Sequence, residues 1–159
     1  NIPGRTGVNI APKTIARLAK DCPSIIAVKE AAGSLDQASE IITLTPSTFT
    51  VLSGDDSLTL PMLSVGGKGV ISVVANIAPK ETQSLCAAFL KGDLKKAKAL
   101  HLKLFPLVKS LFLETNPIPV KAALALLGLC RPEPRLPLTP LSPEARPALK
   151  KALKDFGLL

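Results

Sequence analysis

The segment IIAVKEAAG, residues 25–33, ends an apolar run on a lysine and continues with small residues and a glycine. The run predicts a short buried β-strand whose last residue is Lys29. An amine held among apolar neighbours loses solvation of its charged form, and a neutral amine attacks a ketone to form a Schiff base. Lys29 is therefore a candidate nucleophile. The alternative is a solvated lysine at an ordinary strand end.

Two glycine-containing segments add candidate binding residues. GRTG, residues 4–7, places Arg5 between glycines. A guanidinium held there suits a substrate carboxylate, and the alternative is a surface turn arginine. SGDD, residues 53–56, predicts a tight turn whose aspartate caps the next helix, in preference to an aspartate pair that holds Mg²⁺. Gly54 in this turn would let a ligand approach the backbone closely.

The other reactive side chains predict no second chemistry. His101 is the only histidine and lies in a lysine-rich predicted helix, which favours a surface residue over a catalytic one. The three cysteines, Cys22, Cys86 and Cys130, are far apart, which predicts free thiols and no metal site. GGKG, residues 66–69, lacks the spacing of a phosphate-binding P-loop.

The positive charge is concentrated in the second half of the chain. Residues 1–90 carry seven Lys and Arg against seven Asp and Glu, whereas residues 91–159 carry thirteen against five, which accounts for the formal net charge of +8. Such a block indicates either nucleic-acid binding or solvated helix faces. The chain has no Tyr or Trp that could stack on bases, which favours solvated faces. Because no apolar run reaches the roughly 18 residues of a membrane span, we expect a soluble chain with no membrane partner and no targeting segment.

The elements that must position these residues alternate between helix and strand. Helices are predicted over 12–21, 34–44, 56–65 and 79–91, and continuous apolar strands over 25–29, 49–53 and 69–74. This order predicts parallel βα architecture over residues 1–92, with chemistry at the C-terminal ends of the strands. Only helices are predicted over 93–159, interrupted by a proline-rich extended segment at 131–143. The sequence thus predicts a βα body followed by a helical domain.

Six segments occur in a fixed order: NIPGRTG, IIAVKEAAGSL, LSGDD, GVISVVAN, NPIPVKAAL and RLPLTPLS. On the basis of these segments and their order, essentially the whole chain resembles the 4-hydroxy-tetrahydrodipicolinate synthase family, also called the dihydrodipicolinate synthases. The resemblance implies an α/β fold, namely the C-terminal part of a (β/α)8 barrel from the end of strand five to helix eight, and then an all-helical appendage. The KEA segment alone also fits the N-acetylneuraminate lyases and the keto-deoxy-sugar-acid aldolases. Arg5, NPIPVK and RLPLTP favour the synthases.

The resemblance also implies an activity. It is the condensation of pyruvate with aspartate 4-semialdehyde through a lysine Schiff base, in lysine and diaminopimelate biosynthesis. Lys29 would be the Schiff-base lysine, Arg5 would bind the semialdehyde carboxylate, and Gly54 and Ile71 would line the pyruvate pocket. The resemblance implies no metal and no organic cofactor, a cytoplasmic location and a homotetramer.

Several family features have no counterpart in this sequence. The family motif YN(V/I)PGRTG has a catalytic tyrosine immediately before the asparagine that matches Asn1, and this sequence contains no Tyr. Barrel strands one to four also have no counterpart, and with them go the threonine of the proton relay and the glycine-rich loop for the pyruvate carboxylate. We expect a fragment that is inactive alone, or a non-catalytic half-barrel that serves in assembly.

Overall fold

A three-stranded parallel sheet organises the first half of the chain in the computed structural model, which describes residues 1–159. Its strands are β1 (Ala27–Glu30), β2 (Thr50–Ser53) and β3 (Gly69–Val70), adjacent in that order. Lys29 is paired with Leu52, and Leu52 with Gly69. Strands that follow one another in the sequence pair in parallel and are joined by helices, which confirms the predicted βα architecture.

The helices between the strands follow the local sequence signals. They are α1 (Pro3–Thr6), α2 (Pro12–Asp21), α3 (Leu35–Leu44), α4 (Thr59–Ser64) and α5 (Pro79–Leu90), with 3-10 turns at Asp56–Leu58 and Val74–Asn76. Proline at the first position of α2 and α5 presets the helical φ without removing a needed N–H. The Ser34 hydroxyl accepts a hydrogen bond from Gln37 N at 3.1 Å, which confirms the predicted start of α3.

The second half is helical, as predicted. It contains α6 (Leu94–Ser110), α7 (Ile118–Leu126) and α8 (Arg146–Phe156). Asp93 Oδ1 accepts from Lys96 N at 3.0 Å and so caps α6, and Gly157 ends α8 with a left-handed φ of 91°. No helix has both the length and the apolar composition needed to cross a membrane.

The strand bounds differ from the predicted ones. β1 begins at Ala27 and continues past Lys29 to Glu30, and Ile26 before it is 71% exposed. The prediction of a buried strand ending at Lys29 was therefore wrong, since the partner for Glu30 is Ser53 across the ladder. The ends of β1 are set by pairing with β2, which the local sequence does not encode.

Asp56 explains why β3 is only two residues long. Its Oδ2 accepts hydrogen bonds from Val73 N at 2.9 Å and Val74 N at 3.0 Å, which draws the chain out of the sheet and into the 3-10 turn that follows. No side chain caps the helical turn that starts at Asp56. The predicted cap of the following helix was therefore wrong, and the carboxylate caps a turn 17 residues further along the chain.

Two cores stabilise the fold. The smaller core packs α2 and α3 onto β2 around Ile41 and Val51. The larger core contains 15 buried residues and joins α4 and α5 to α6, α7 and α8. The predicted domain boundary at residue 92 lies in the turn between α5 and α6, and the larger core takes side chains from both sides of it. The helical half is therefore packed against α4 and α5.

Truncation of the larger core tests this packing. Leu107 in α6 is 1% exposed, and Leu102 in the same helix is 58% exposed. We expect Leu107→Ala to lower the free energy of unfolding by about 2–5 kcal/mol because it leaves a cavity. Leu102→Ala, the matched control, should change it by less than about 0.5 kcal/mol. Urea unfolding of both variants measures the difference, and equal effects would contradict the packing described.

Candidate active site

An open cavity of about 610 Å³ lies at the C-terminal ends of β1 and β2. Its walls come from the start of the chain, from Lys29 and Ala31, from residues 54–55, from Val73 and from residues 112–116. Parallel strands bring their C-terminal ends to one edge of a sheet, and loops from separate parts of the sequence therefore meet there. The cavity is large enough for two small organic substrates.

Three of the four predicted site residues line this cavity. Lys29, Arg5 and Gly54 lie on its wall, and both Lys29 and Arg5 are exposed to solvent. Ile71 is not part of the lining; its N–H donates to Ser53 O at 2.9 Å, and 48% of the residue is exposed. The structure therefore brings together the candidate nucleophile and the candidate carboxylate anchor, and the role of Ile71 stays a prediction.

Gly54 is required by the close approach of β1. Its N–H donates to Glu30 O at 2.7 Å, one step beyond the β1–β2 ladder. A Cβ at this position would overlap the Ala31 Cβ and would lie 3.1 Å from Lys29 Cε. At Gly54 we expected the close approach of a ligand, whereas the neighbour that the structure shows there is the segment that carries Lys29.

Asp55 is a site residue that the sequence reasoning did not single out. Burial, and secondarily the negative charge of Asp56, raise the pKa of the Asp55 carboxyl above its ordinary value of 3.8, against the opposing effect of Lys29 and Arg5. Asp55 therefore lies within electrostatic reach of both predicted site cations. The signal was present in SGDD, but its aspartates were interpreted as helix caps.

The helical half supplies the far wall of the cavity. Asn116 Oδ1 is buried there and accepts no hydrogen bond from the protein. Glu114 Oε1 accepts from Ser142 N at 3.1 Å and so ties the proline-rich segment to this wall. Apart from the family resemblance of NPIP, residues 116–119, no signal in the sequence pointed to Asn116. The site therefore combines two cations with carboxylate and amide oxygens.

The remaining reactive side chains lie elsewhere. Burial raises the pKa of the Cys86 thiol and lowers the pKa of His101, and neither residue lines the cavity with Lys29. All three cysteines are free thiols. No three His, Cys, Asp or Glu side chains are grouped in a way that could hold a metal ion.

Residues 1–156 match the model of the dihydrodipicolinate synthetase family. The chain belongs to this family. One curated relative, the 4-hydroxy-tetrahydrodipicolinate synthase of Endomicrobium trichonymphae, is 58% identical over 159 residues. The match covers 100% of this chain and 54% of the relative. The enzyme of the same name from Syntrophus aciditrophicus is 54% identical, with the same coverage.

Solved structures of dihydrodipicolinate synthases are similarly close. The Thermotoga maritima structure superposes with a TM-score of 0.97 at 50% identity and covers 100% of this chain, which corresponds to 55% of the solved chain. The Aquifex aeolicus structure superposes with a TM-score of 0.97 at 50% identity. It covers 99% of this chain, which corresponds to 54% of the solved chain. The chain spans about half the length of the relatives and structures that it matches.

Gly54→Ala tests the close approach at the site. We expect this variant to lower the free energy of unfolding by about 1–3 kcal/mol because the new methyl group overlaps Ala31. Gly69→Ala is the matched control, since a Cβ there meets Leu52 Cδ2 at an ordinary 3.5 Å. Chemical denaturation compares the two. An unchanged stability of Gly54→Ala would contradict the geometry.

Asp55→Asn tests the electrostatics of the site. A raised pKa means that the folded state holds the proton more tightly than the unfolded state, so the fold loses stability as the pH rises from 3.8 through the folded-state pKa of Asp55. We expect Asp55→Asn to be more stable than the unmodified chain at neutral pH, and the gain should vanish as the pH falls to 3.8 and below. Urea unfolding across this range measures it, and a loss of stability at neutral pH would refute the expectation.

Proposed function

We propose that the chain is the second half of a (β/α)8 barrel in which β1, β2 and β3 are strands six, seven and eight. Asn1 N donates to Lys29 O at 2.8 Å, and Ala31 N donates to Asn1 O at 2.9 Å. Two bonds that flank Glu30 in this way are the pattern of a parallel ladder. They support Asn1 as the end of strand five, on the open side of β1.

Exposed apolar surface supports a barrel that continues beyond this chain. Val8 is 67% exposed, Ile71 is 48% exposed and Ile26 is 71% exposed. A cavity of about 370 Å³ lies beside the free edge of β3, lined in part by Val70 and Cys86. Closure of a barrel abolishes free edges, and further strands would therefore cover both regions.

We infer that the complete protein condenses pyruvate with aspartate 4-semialdehyde. The observation that carries this inference is that Lys29 and Arg5 share one cavity in a chain whose close relatives are named 4-hydroxy-tetrahydrodipicolinate synthase. The Lys29 amine adds to the pyruvate ketone, and water leaves to give an iminium. Loss of a methyl proton gives an enamine, whose carbon adds to the aldehyde. The amino group of the aldehyde substrate then closes the ring and displaces Lys29, which yields 4-hydroxy-tetrahydrodipicolinate.

Arg5 selects the second substrate in this proposal. A guanidinium offers two parallel N–H donors to a carboxylate, and it has no acceptor for the hydroxyl groups of a sugar. A short carboxylated aldehyde therefore suits the site better than the polyhydroxylated substrates of the sugar-acid aldolases. Gly54, and Ile71 partly through its backbone, would complete the pyruvate pocket.

Proton transfer is the step for which we infer that this chain alone is insufficient. The sequence contains no Tyr, and the proposed reaction moves protons at the ketone, the methyl group and the aldehyde. We therefore propose that turnover needs the first half of the barrel. We also propose that the complete protein is a cytoplasmic homotetramer that uses no organic cofactor.

The test is turnover in a fusion protein, in which this chain follows the first half of the Thermotoga maritima enzyme. We expect the fusion to consume pyruvate only when aspartate 4-semialdehyde is added, and we expect the 159-residue chain alone to be inactive. Lys29→Arg should abolish turnover because a guanidinium cannot form the Schiff base. Lys68→Arg, the matched control, should leave turnover unchanged. Release of product from sugar-acid substrates instead would favour the sugar-acid aldolases, and turnover by Lys29→Arg would refute the proposed role of Lys29.

A further inference from the structure

A buried carboxylate lies directly behind the candidate nucleophile. Glu30 follows Lys29 in β1 and is 1% exposed. Neighbouring residues of a strand point to opposite faces, so Lys29 lines the cavity and Glu30 is buried on the other side of the sheet. No Lys, Arg or His pairs with Glu30, since the only ion pair in the structure is Lys151–Asp155. A buried charge without a partner ion needs other groups to stabilise it.

Three segments donate hydrogen bonds to Glu30. Asn1 Nδ2 lies 3.2 Å from Oε1 and 3.1 Å from Oε2, Ala32 N lies 2.7 Å from Oε1, and Gln37 Nε2 lies 3.0 Å from Oε2. Every neighbour is a donor. An ionised carboxylate is acceptor-only and satisfies all of them, whereas an amide in its place would turn an N–H toward at least one donor.

The same groups close the loop that carries Arg5. Asn1 Oδ1 accepts from Ile10 N at 3.0 Å, and Asn9 Oδ1 accepts from Asn1 Nδ2 at 2.7 Å. Asn9 also exchanges two hydrogen bonds with the Gln37 amide, at 2.7 and 3.1 Å. Residues 1–10 therefore begin and end at one polar cluster, formed by Asn1, Asn9, Glu30 and Gln37, and Arg5 lies between the two attachment points.

We propose that Glu30 is a positioning residue that sets the span between Lys29 and Arg5, and thereby the length of carboxylated aldehyde that the site accepts. Glu30 shares a strand with Lys29, and its carboxylate holds Asn1, four residues before Arg5. It touches neither substrate. This proposal rests on the proposed function for its kinetic consequence, but the anchoring of residues 1–10 stands apart from that function.

The anchoring is tested on the 159-residue chain itself. Because residues 1–10 are held at both ends by the polar cluster, we expect trypsin to cleave after Arg5 faster when they leave it. We expect Glu30→Gln to accelerate this cleavage about tenfold, because local opening controls proteolysis of a folded chain. Cleavage after Arg17 in α2 should keep its rate. The matched control is Glu40→Gln, on the exposed face of α3, which should leave both rates unchanged. Equal acceleration after Arg5 and Arg17 would indicate general destabilisation and would overturn the proposal, as would no acceleration.

The role in specificity is tested by a double-mutant cycle in the fusion protein. Glu30→Gln should raise the KM for aspartate 4-semialdehyde about tenfold while pyruvate trapping on Lys29 by borohydride stays within about twofold. In an Arg5→Ala background, Glu30→Gln should add less than about twofold, because the residue that it positions is gone. If Glu30 had a merely structural role, Glu30→Gln would lower pyruvate trapping by as much as it raises the KM. The effects of Glu30→Gln and Arg5→Ala on the KM would then multiply. Either result would overturn the proposal. If the unmodified fusion formed no adduct on Lys29, the proposed function would fail, and the trypsin result would still decide the anchoring.

Discussion

The close contact between the ends of β1 and β2 is the constraint on which the candidate site depends. Gly54 N reaches Glu30 O at 2.7 Å, and a side chain at position 54 would collide with Ala31. This contact continues the parallel ladder one residue beyond β2. The pleat of the strands therefore fixes the side of the sheet to which each side chain at the strand ends points. Lys29 lines the cavity and Glu30 is buried behind it. The positions of the candidate nucleophile and of the carboxylate behind it are thus consequences of one strand register.

The helical half extends this arrangement to the opposite wall. The larger core joins α6, α7 and α8 to the helices that follow the strands, and residues 112–116 therefore face the strand ends across the cavity. The excess positive charge of this half lies elsewhere, since Lys95, Lys96 and Lys98 are exposed on α6. The helical half contributes to the site through packing and through Glu114 and Asn116, which are polar rather than basic.

Local signals were sufficient for the starts of α3 and α6 but not for the start of α4, the strands and the site. Ser34 and Asp93 cap the helices that follow them, because a cap acts over three residues and is visible in sequence. Asp56 accepts hydrogen bonds from the backbone of Val73 and Val74 instead of capping the helix predicted over 56–65. No short-range pattern encodes a partner so distant in the chain. Lys29 and Arg5 were predicted from residue type and from resemblance. Asp55 and Asn116 were missed because their positions in the cavity wall depend on how distant segments pack.

If Lys29 is the nucleophile of a pyruvate-condensing site, as we propose, pyruvate must become attached to its amine. Borohydride reduction of the fusion protein in the presence of pyruvate, followed by peptide mass mapping, detects this attachment. We expect one pyruvyl adduct, on the peptide that contains Lys29, and no adduct when pyruvate is omitted. An adduct on another lysine, or none at all in a folded fusion protein, would refute the proposed role and leave Lys29 as a solvated residue near the end of a strand.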